Sequence, residues 1–293
     1  MLASATSNQI ERSSSAPQSL RVSLISASIG MAVCSWAAAA AAEAPWPTAV
    51  QAQYDLRFNG IKIGGFEFNS VVEGNTYRLE GRGSVSVLFG RYKWSGGAES
   101  RGTLARAVPR PQSFDFELNG RKKAGTTRMT FDSDNVKSVD IQPPPKPREN
   151  VVPVEPRHTR NALDPMTMVM ALTHGSGNGC QRKAAVFDGT RRVDIWLSPN
   201  GTVPLPAQQS ADIPTTGLLC RLNYRLVAGH RPGDETSYMN RNQHIELILR
   251  PVPSANMFVP HEIRASTLLG SIRAVARTVT ITPRGAQQLV LRQ

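Results

Sequence analysis

The chain has 293 residues, 40% of them apolar, and carries 34 basic against 22 acidic side chains for a net charge of +12. A chain of this length can bury about 70 to 75% of its extended surface, ample for one self-supporting domain. Its three cysteines include no Cys-x-x-Cys step, which argues against a redox dithiol centre.

The first 42 residues read as a leader and not as part of a fold. A polar, Ser-rich start containing Arg12 and Arg21 runs into the apolar stretch VSLISASIGMAVCSWAAAAAA (22 to 42), the pattern of a secretory signal peptide with its cleavage point after Ala40-Ala41-Ala42. The domain organisation expected is therefore a signal peptide over 1–42 and a single periplasmic domain over 43–293. Cleavage removes Arg12, Arg21 and Glu11, taking 34 basic and 22 acidic residues to 32 and 21, a net +11. An exported basic chain does not meet the genome. It meets anionic lipid, lipopolysaccharide or acidic glycan instead, so no nucleic-acid partner is expected. Loss of Cys34 leaves Cys180 and Cys220 in an oxidising space, where they are expected to form a disulfide.

Beyond the leader the hydrophobic period is two almost throughout. In YDLRFNG, Tyr54, Leu56 and Phe58 alternate with Asp55, Arg57 and Asn59, as in a strand with one face buried. IKIGGFEFNSV changes phase at Gly64-Gly65, which predicts a β-bulge or bend. Strands follow at 76–83, 92–100, 113–119, 126–132 and 136–142, separated by Gly, Asn and Asp turn signals at hairpin spacing. The stretch PPPKPRENVVPVEP (143 to 156) cannot donate ladder bonds, so it reads as a long exposed connection where a protein partner could dock. The one helix signal opens at Asp164-Pro165, with Asp164 as the cap, and stops at His174-Gly175.

VFDGTRRVDIW (186 to 196) poses a choice between a catalytic carboxylate and a turn at Asp188. Asp-Gly is among the strongest hairpin signals, and Asp188 and Gly189 are read as a two-residue structural turn. That register sets Phe187 opposite Thr190, Ala184 opposite Val193, and Lys183 opposite Asp194 as a charge pair. A polar, Pro-bearing loop follows over 199–216. In the next strand Cys220 shares the apolar face with Leu222, Tyr224 and Leu226. Alternation then continues through HIELILRPV, through 261–281 with Arg273, Val275, Arg277, Val279 and Ile281 on one parity, and through QQLVLR.

YDLRFNGIKIGGFEF, LDPMTMVMAL and a Cys followed by VFDGTRRVDIWL and a second Cys together resemble a proteobacterial periplasmic family of uncharacterised function whose second half carries a Phe-Asp-Gly hairpin. The resemblance covers about residue 50 to 200 or beyond and implies an exported, mainly antiparallel β protein. The fold class expected is mainly β: a single curved antiparallel sheet, half-barrel or spiral-like, with one short helix.

Chemistry is sparse in the sequence. The five histidines, at 158, 174, 230, 244 and 261, lack metal-ligand spacing. There is no Gly-x-Ser-x-Gly elbow, phosphate loop or dinucleotide fingerprint, so no metal and no cofactor is expected. The function expected is non-catalytic: an envelope protein that binds a lipid-like or glycan ligand, or a protein partner, on the concave side of its sheet. The alternative is a periplasmic hydrolase built on His174 with Asp164 or Asp188 nearby.

Overall fold

The computed structural model describes residues 46–87, 92–120, 124–147, 149–232, 245–267 and 269–292. The leader, with its cleavage site, and His244 lie outside these residues.

The described chain is one open antiparallel sheet with a single α-helix. Its strands are β1 (Ala49–Phe58), β2 (Ile61–Glu73), β3 (Thr76–Val87), β4 (Tyr92–Ala105), β5 (Val108–Gly120), β6 (Gly125–Asp132), β7 (Asn135–Gln142), β8 (Lys183–Phe187), β9 (Arg192–Pro204), β10 (Thr216–Ala228), β11 (Ile245–Val252), β12 (Met257–Thr267), β13 (Gly270–Thr282) and β14 (Leu289–Arg292); the helix is α1 (Pro165–Thr173). The spatial order is β7-β6-β5-β4-β3-β2-β1-β13-β12-β11-β10-β9-β8, and β14 pairs with β13 where β12 has left it. Two runs of sequential hairpins thus meet at the single non-sequential contact, β1 with β13, because the chain leaves the β7 edge, crosses through α1 and resumes at β8.

The outermost strands β7 and β8 do not pair, so the sheet is not closed. The segment before α1 blunts both edges. Arg160 bridges to Asn135 at the start of β7, while Leu163 donates to Ala185 O and accepts from Phe187 N on β8. An edge given such partners no longer offers a free ladder to another chain.

One face of the sheet, here called inner, carries the core. Leu79, Phe114 and Met129 pack with Met166 and Met170 of α1 and with Phe187, while Val50, Ala52, Ala276, Val279 and Ile281 form a second cluster across the β1/β13 seam. The helix touches β3, β4 and β5 on one side and β8 and β12 on the other, so the sheet bends round it. Cys180 and Cys220 form a buried disulfide, with Cα atoms 5.2 Å apart, beside Leu197, Leu247 and Phe258.

Four sequence expectations change in detail. The phase slip near Gly64 is a bulge, but the extra residue is Ile63: Leu56 faces Gly64 and Arg57 faces Lys62. A Cβ on Gly64 would lie 2.0 Å from the Ser84 carbonyl oxygen, so glycine is required there for close backbone approach. In β13 the parity does not hold to Ile281. Arg277 is bulged out between the Gln53/Thr278 and Tyr54/Ala276 pairs, which puts Ala276, Val279 and Ile281 together in the core and leaves Arg273 on the other face. The loop placed at 199–216 begins later, because β9 continues to Pro204. Its prolines are tolerated since β8 stops pairing at Trp196, leaving the far edge of that stretch without a strand partner.

The fourth change concerns the hairpin at Asp188-Gly189. The connection has four residues, 188 to 191, and the register is Lys183 opposite Trp196, Ala185 opposite Asp194 and Val186 opposite Val193. The Asp188 carboxylate accepts from Thr190 N, Thr190 Oγ1 and Arg191 N at 2.8, 2.8 and 2.7 Å, so the side chain builds a wider turn of its own. The shift is two residues, which preserves the facing of every side chain but removes the Lys183–Asp194 pair. Asp194 instead takes Arg192 at 3.0 Å and Arg225 at 2.8 Å, and with these hydrogen bonds outweighing its partial burial its carboxyl sits below the usual range.

Candidate ligand surface

Asp164 caps α1 as its local sequence dictates. Its Oδ1 accepts from Met166 N at 2.9 Å and Thr167 N at 3.0 Å, and Pro165 supplies the first helical residue, where no amide hydrogen is needed. Its Oδ2 accepts from Thr167 Oγ1 at 2.6 Å and from Ser100 Oγ at 2.9 Å. The Tyr77 hydroxyl closes the set 2.9 Å from Thr167 Oγ1, in space that Gly102 leaves open. Asp164, Thr167 and Ser100 are fully buried. Burial raises the Asp164 pKa, and the four donors oppose that shift. This network pins the helix start to β3 and β4 and is sealed from solvent.

His174 lies at the other end of the helix, 6% exposed, with its ring stacked on Trp46 at 3.6 Å. Among the described residues neither ring nitrogen has a hydrogen-bond partner. Burial, with a further push from the Arg182 guanidinium, lowers its pKa from 6.5 to about 4; Arg182 also donates to the His174 carbonyl oxygen. The Asp164 and Asp188 carboxylates proposed as its partners are occupied by the donors described above, and His174 is not among them. Among the described residues no group of three His, Cys, Asp or Glu is placed to hold a metal ion.

The register brings together residues that no local pattern joins. Toward the end of the sheet that carries the β1/β2 and β12/β13 turns, α1 gives way to a half-buried apolar inner surface of Leu56, Phe66, Val85 and Leu118, joined on the same face by Trp94 and Phe116, which are 45% and 38% exposed. One row, near the strand ends in β2, β1, β13, β12 and β11 and mid-strand in β10 and β9, runs across seven strands: Ile61, Phe58, Ile272, Ala265, Ile245, Leu222 and Leu197 stand opposite one another in turn on the inner face. One residue back, the outer face carries the matching row Lys62, Arg57, Arg273, Arg264, Glu246, Arg221 and Ser198. Where this row reaches the rim, over β2, β1, β13 and β12, it is apolar inside and cationic outside.

Four cations, Lys62, Arg57, Arg273 and Arg264, face one another on adjacent strands about 4.8 Å apart, an arrangement that destabilises a sheet. Asp55 and Glu262 offset part of this. Asp55 meets Lys62 at 2.6 Å and Arg57 at 3.7 Å; Glu262 takes two bonds from Arg264 at 2.8 Å and lies 3.6 Å from Arg273. The Lys62 hydrogen bond holds the Asp55 carboxyl below its ordinary range. Burial would raise Glu262, but Arg264 and Arg273 bring it down. With Glu246 and Arg221 added, the row holds five cations against three carboxylates, and a hollow of about 370 Å³ opens among Arg221, Glu246, Arg264 and Arg273.

The outer face of β1 to β5 differs. A cavity of about 550 Å³ there is polar and balanced in charge, with Asp55, Glu67 and Glu117 beside Lys62, Arg82 and Arg277, and Gly65 and Gly97 leaving the room.

No curated protein and no solved structure matches the chain. Residues 53–277, which take in the bulge, the helix, the disulfide and the whole rim, match the family described as protein of unknown function DUF3108, and the chain belongs to that family.

Proposed function

We propose that this is a non-catalytic, exported envelope protein of a proteobacterium that holds a lipid-like ligand against the inner face of its sheet. The observation that carries this reading is the half-buried apolar surface beyond α1, with Trp94 45% and Phe116 38% exposed on the same face that forms the core under the helix. Large exposed aromatic surface on an otherwise packed face is costly unless something covers it. Ligand sites are commonly apolar concavities with a few polar groups at the mouth, and here the mouth carries the cations of the rim. The Ser-rich start and apolar stretch before Glu43 support export, and the disulfide accords with an oxidising compartment. His174 without a hydrogen-bonded carboxylate or nucleophile favours binding over hydrolysis.

The test is a titration of the purified Trp196→Phe chain with a brominated fatty acid, read as tryptophan quenching. Saturable quenching that disappears in the Trp94→Phe background supports the reading, since Trp46 is buried against His174. Absence of saturable quenching at Trp94 contradicts it. A second reading, a glycan ligand, is favoured by the polar cavity of about 550 Å³ on the outer face. Protection of Arg82 and Glu117 from chemical labelling by an added oligosaccharide, with no change at Trp94, would select it.

A further inference from the structure

We infer that the end of the sheet carrying the β1/β2 and β12/β13 turns docks on an anionic bilayer, with Ile61 and Leu269 entering the headgroup boundary and the rim cations lying on the phosphates. The inference deepens the proposed lipid-binding function and rests on it only for the fate of the lipid after docking.

The two turns form one rigid tip. Asn59 N donates to Ser271 O at 2.9 Å and Ser271 N donates to Asn59 Oδ1 at 2.8 Å, so each turn holds the other. Gly270, at φ +141°, sits so close that a Cβ there would fall 2.2 Å from the Asn59 amide oxygen. From this braced tip Ile61 projects 71% exposed and Leu269 85% exposed, with Ile272 41% exposed beside them. Among the described residues no other large apolar side chain reaches these first two values. Immediately behind the tip come Lys62, Arg57, Arg273 and Arg264, in a row about 14 Å long at the spacing of adjacent strands. Aliphatic side chains at the front and cations one residue behind are the two signals that together hold a protein on an anionic membrane, where either alone is weak. The repulsion among four facing cations is a cost to the isolated sheet. Asp55 and Glu262 offset part of it, and a plane of lipid phosphates lowers the remainder.

Sedimentation of the purified chain with vesicles tests this. Binding is expected to vesicles of phosphatidylcholine with about one third phosphatidylglycerol, weakening in high salt, and not to phosphatidylcholine alone. Arg57→Gln/Arg273→Gln should reduce partitioning roughly thirtyfold, taking the usual contribution of a cation near a charged surface. Ile61→Ser/Leu269→Ser should also reduce it by at least about tenfold. Arg101→Gln/Arg128→Gln removes the same charge from the outer face away from the rim and should bind as wild type, which separates a docking site from net charge. Glycerol phosphate at millimolar concentration should not displace the vesicles. Equal loss in the Arg101/Arg128 variant, full binding by the Ile61/Leu269 variant, or displacement by glycerol phosphate would each overturn the docking surface. Brominated fatty acid quenching of Trp94 without vesicles reads the inner face separately, so either idea can fail while the other stands.

Discussion

Replacing His174 by Phe should make the protein at least as stable at neutral pH and should remove a specific part of its acid sensitivity. The ring is 6% exposed, stacks on Trp46 at 3.6 Å and finds no hydrogen-bond partner for either nitrogen among the described residues. A phenyl ring keeps the stack and deletes the buried polar atoms, a gain of about 1 kcal/mol when no partner is lost. Burial lowers the folded-state pKa from 6.5 to about 4. As pH falls below 6.5 the unfolded chain takes up the proton first, so the wild type loses stability between pH 6.5 and 4, and no further below. The full difference corresponds to about 3 kcal/mol. The buried Asp164 titrates in both proteins and cancels in the comparison. Urea unfolding of wild type and His174→Phe at several values from pH 7.5 to 4 measures it. A gap between the two that widens on acidification supports the account; a gap constant from pH 7.5 to 4, or a variant less stable at pH 7.5, would refute it. A base that stays unprotonated until about pH 4 is also poorly matched to proton transfer near neutrality.

Three further substitutions probe the frame that positions the ligand surface. Gly64→Ala should cost about 2 to 4 kcal/mol in thermal unfolding, because its Cβ would meet the Ser84 carbonyl oxygen at 2.0 Å and backbone must move; a melting temperature within a degree of wild type would refute the bulge geometry. Asp164→Ala strips the helix cap and leaves Ser100 and Thr167 without their acceptor, an expected loss of about 2 to 4 kcal/mol in the urea midpoint, whereas a loss under about 0.5 kcal/mol would contradict the sealed network. Cys180→Ala/Cys220→Ala opens a 40-residue loop and should cost roughly 4 kcal/mol; free-thiol titration of the unmodified protein should find these two cysteines unreactive.

The architecture was legible because period-two alternation and turn residues are local. Strands β3 to β7, the helix over Pro165–Thr173 and its Asp164 cap stand where alternation and capping chemistry place them. What failed was register. The Asp-Gly signal marks a turn but not its length, and the Asp188 side chain, by taking three donors of its own, turns a two-residue corner into four. The bulges at Ile63 and Arg277 shift facing in β2 and β13, and only the partner strand shows which residue is the extra one. The rim depends on those same registers, since Arg57 and Arg221 lie in the sheet opposite partners far along the chain. A trace of it was nevertheless present: Arg57-Phe58, Ile61-Lys62, Arg264-Ala265 and Ile272-Arg273 each set a cation one residue from an apolar side chain, and the order reverses with strand direction. The net charge of +12 suggested anionic partners without locating them. The outer cavity proves balanced in charge, while the row of Lys62, Arg57, Arg273, Arg264 and Arg221 exceeds its carboxylates by two, a small part of the total.

The account turns on whether a lipid occupies the inner face. Native mass spectrometry of the protein purified from its own membrane fraction, without added detergent exchange, tests this most directly. A co-purifying anionic lipid, released by Trp94→Glu and retained in Arg101→Gln/Arg128→Gln, is the predicted result. A chain that arrives lipid-free, or whose bound mass is a glycan indifferent to Trp94→Glu, would contradict it.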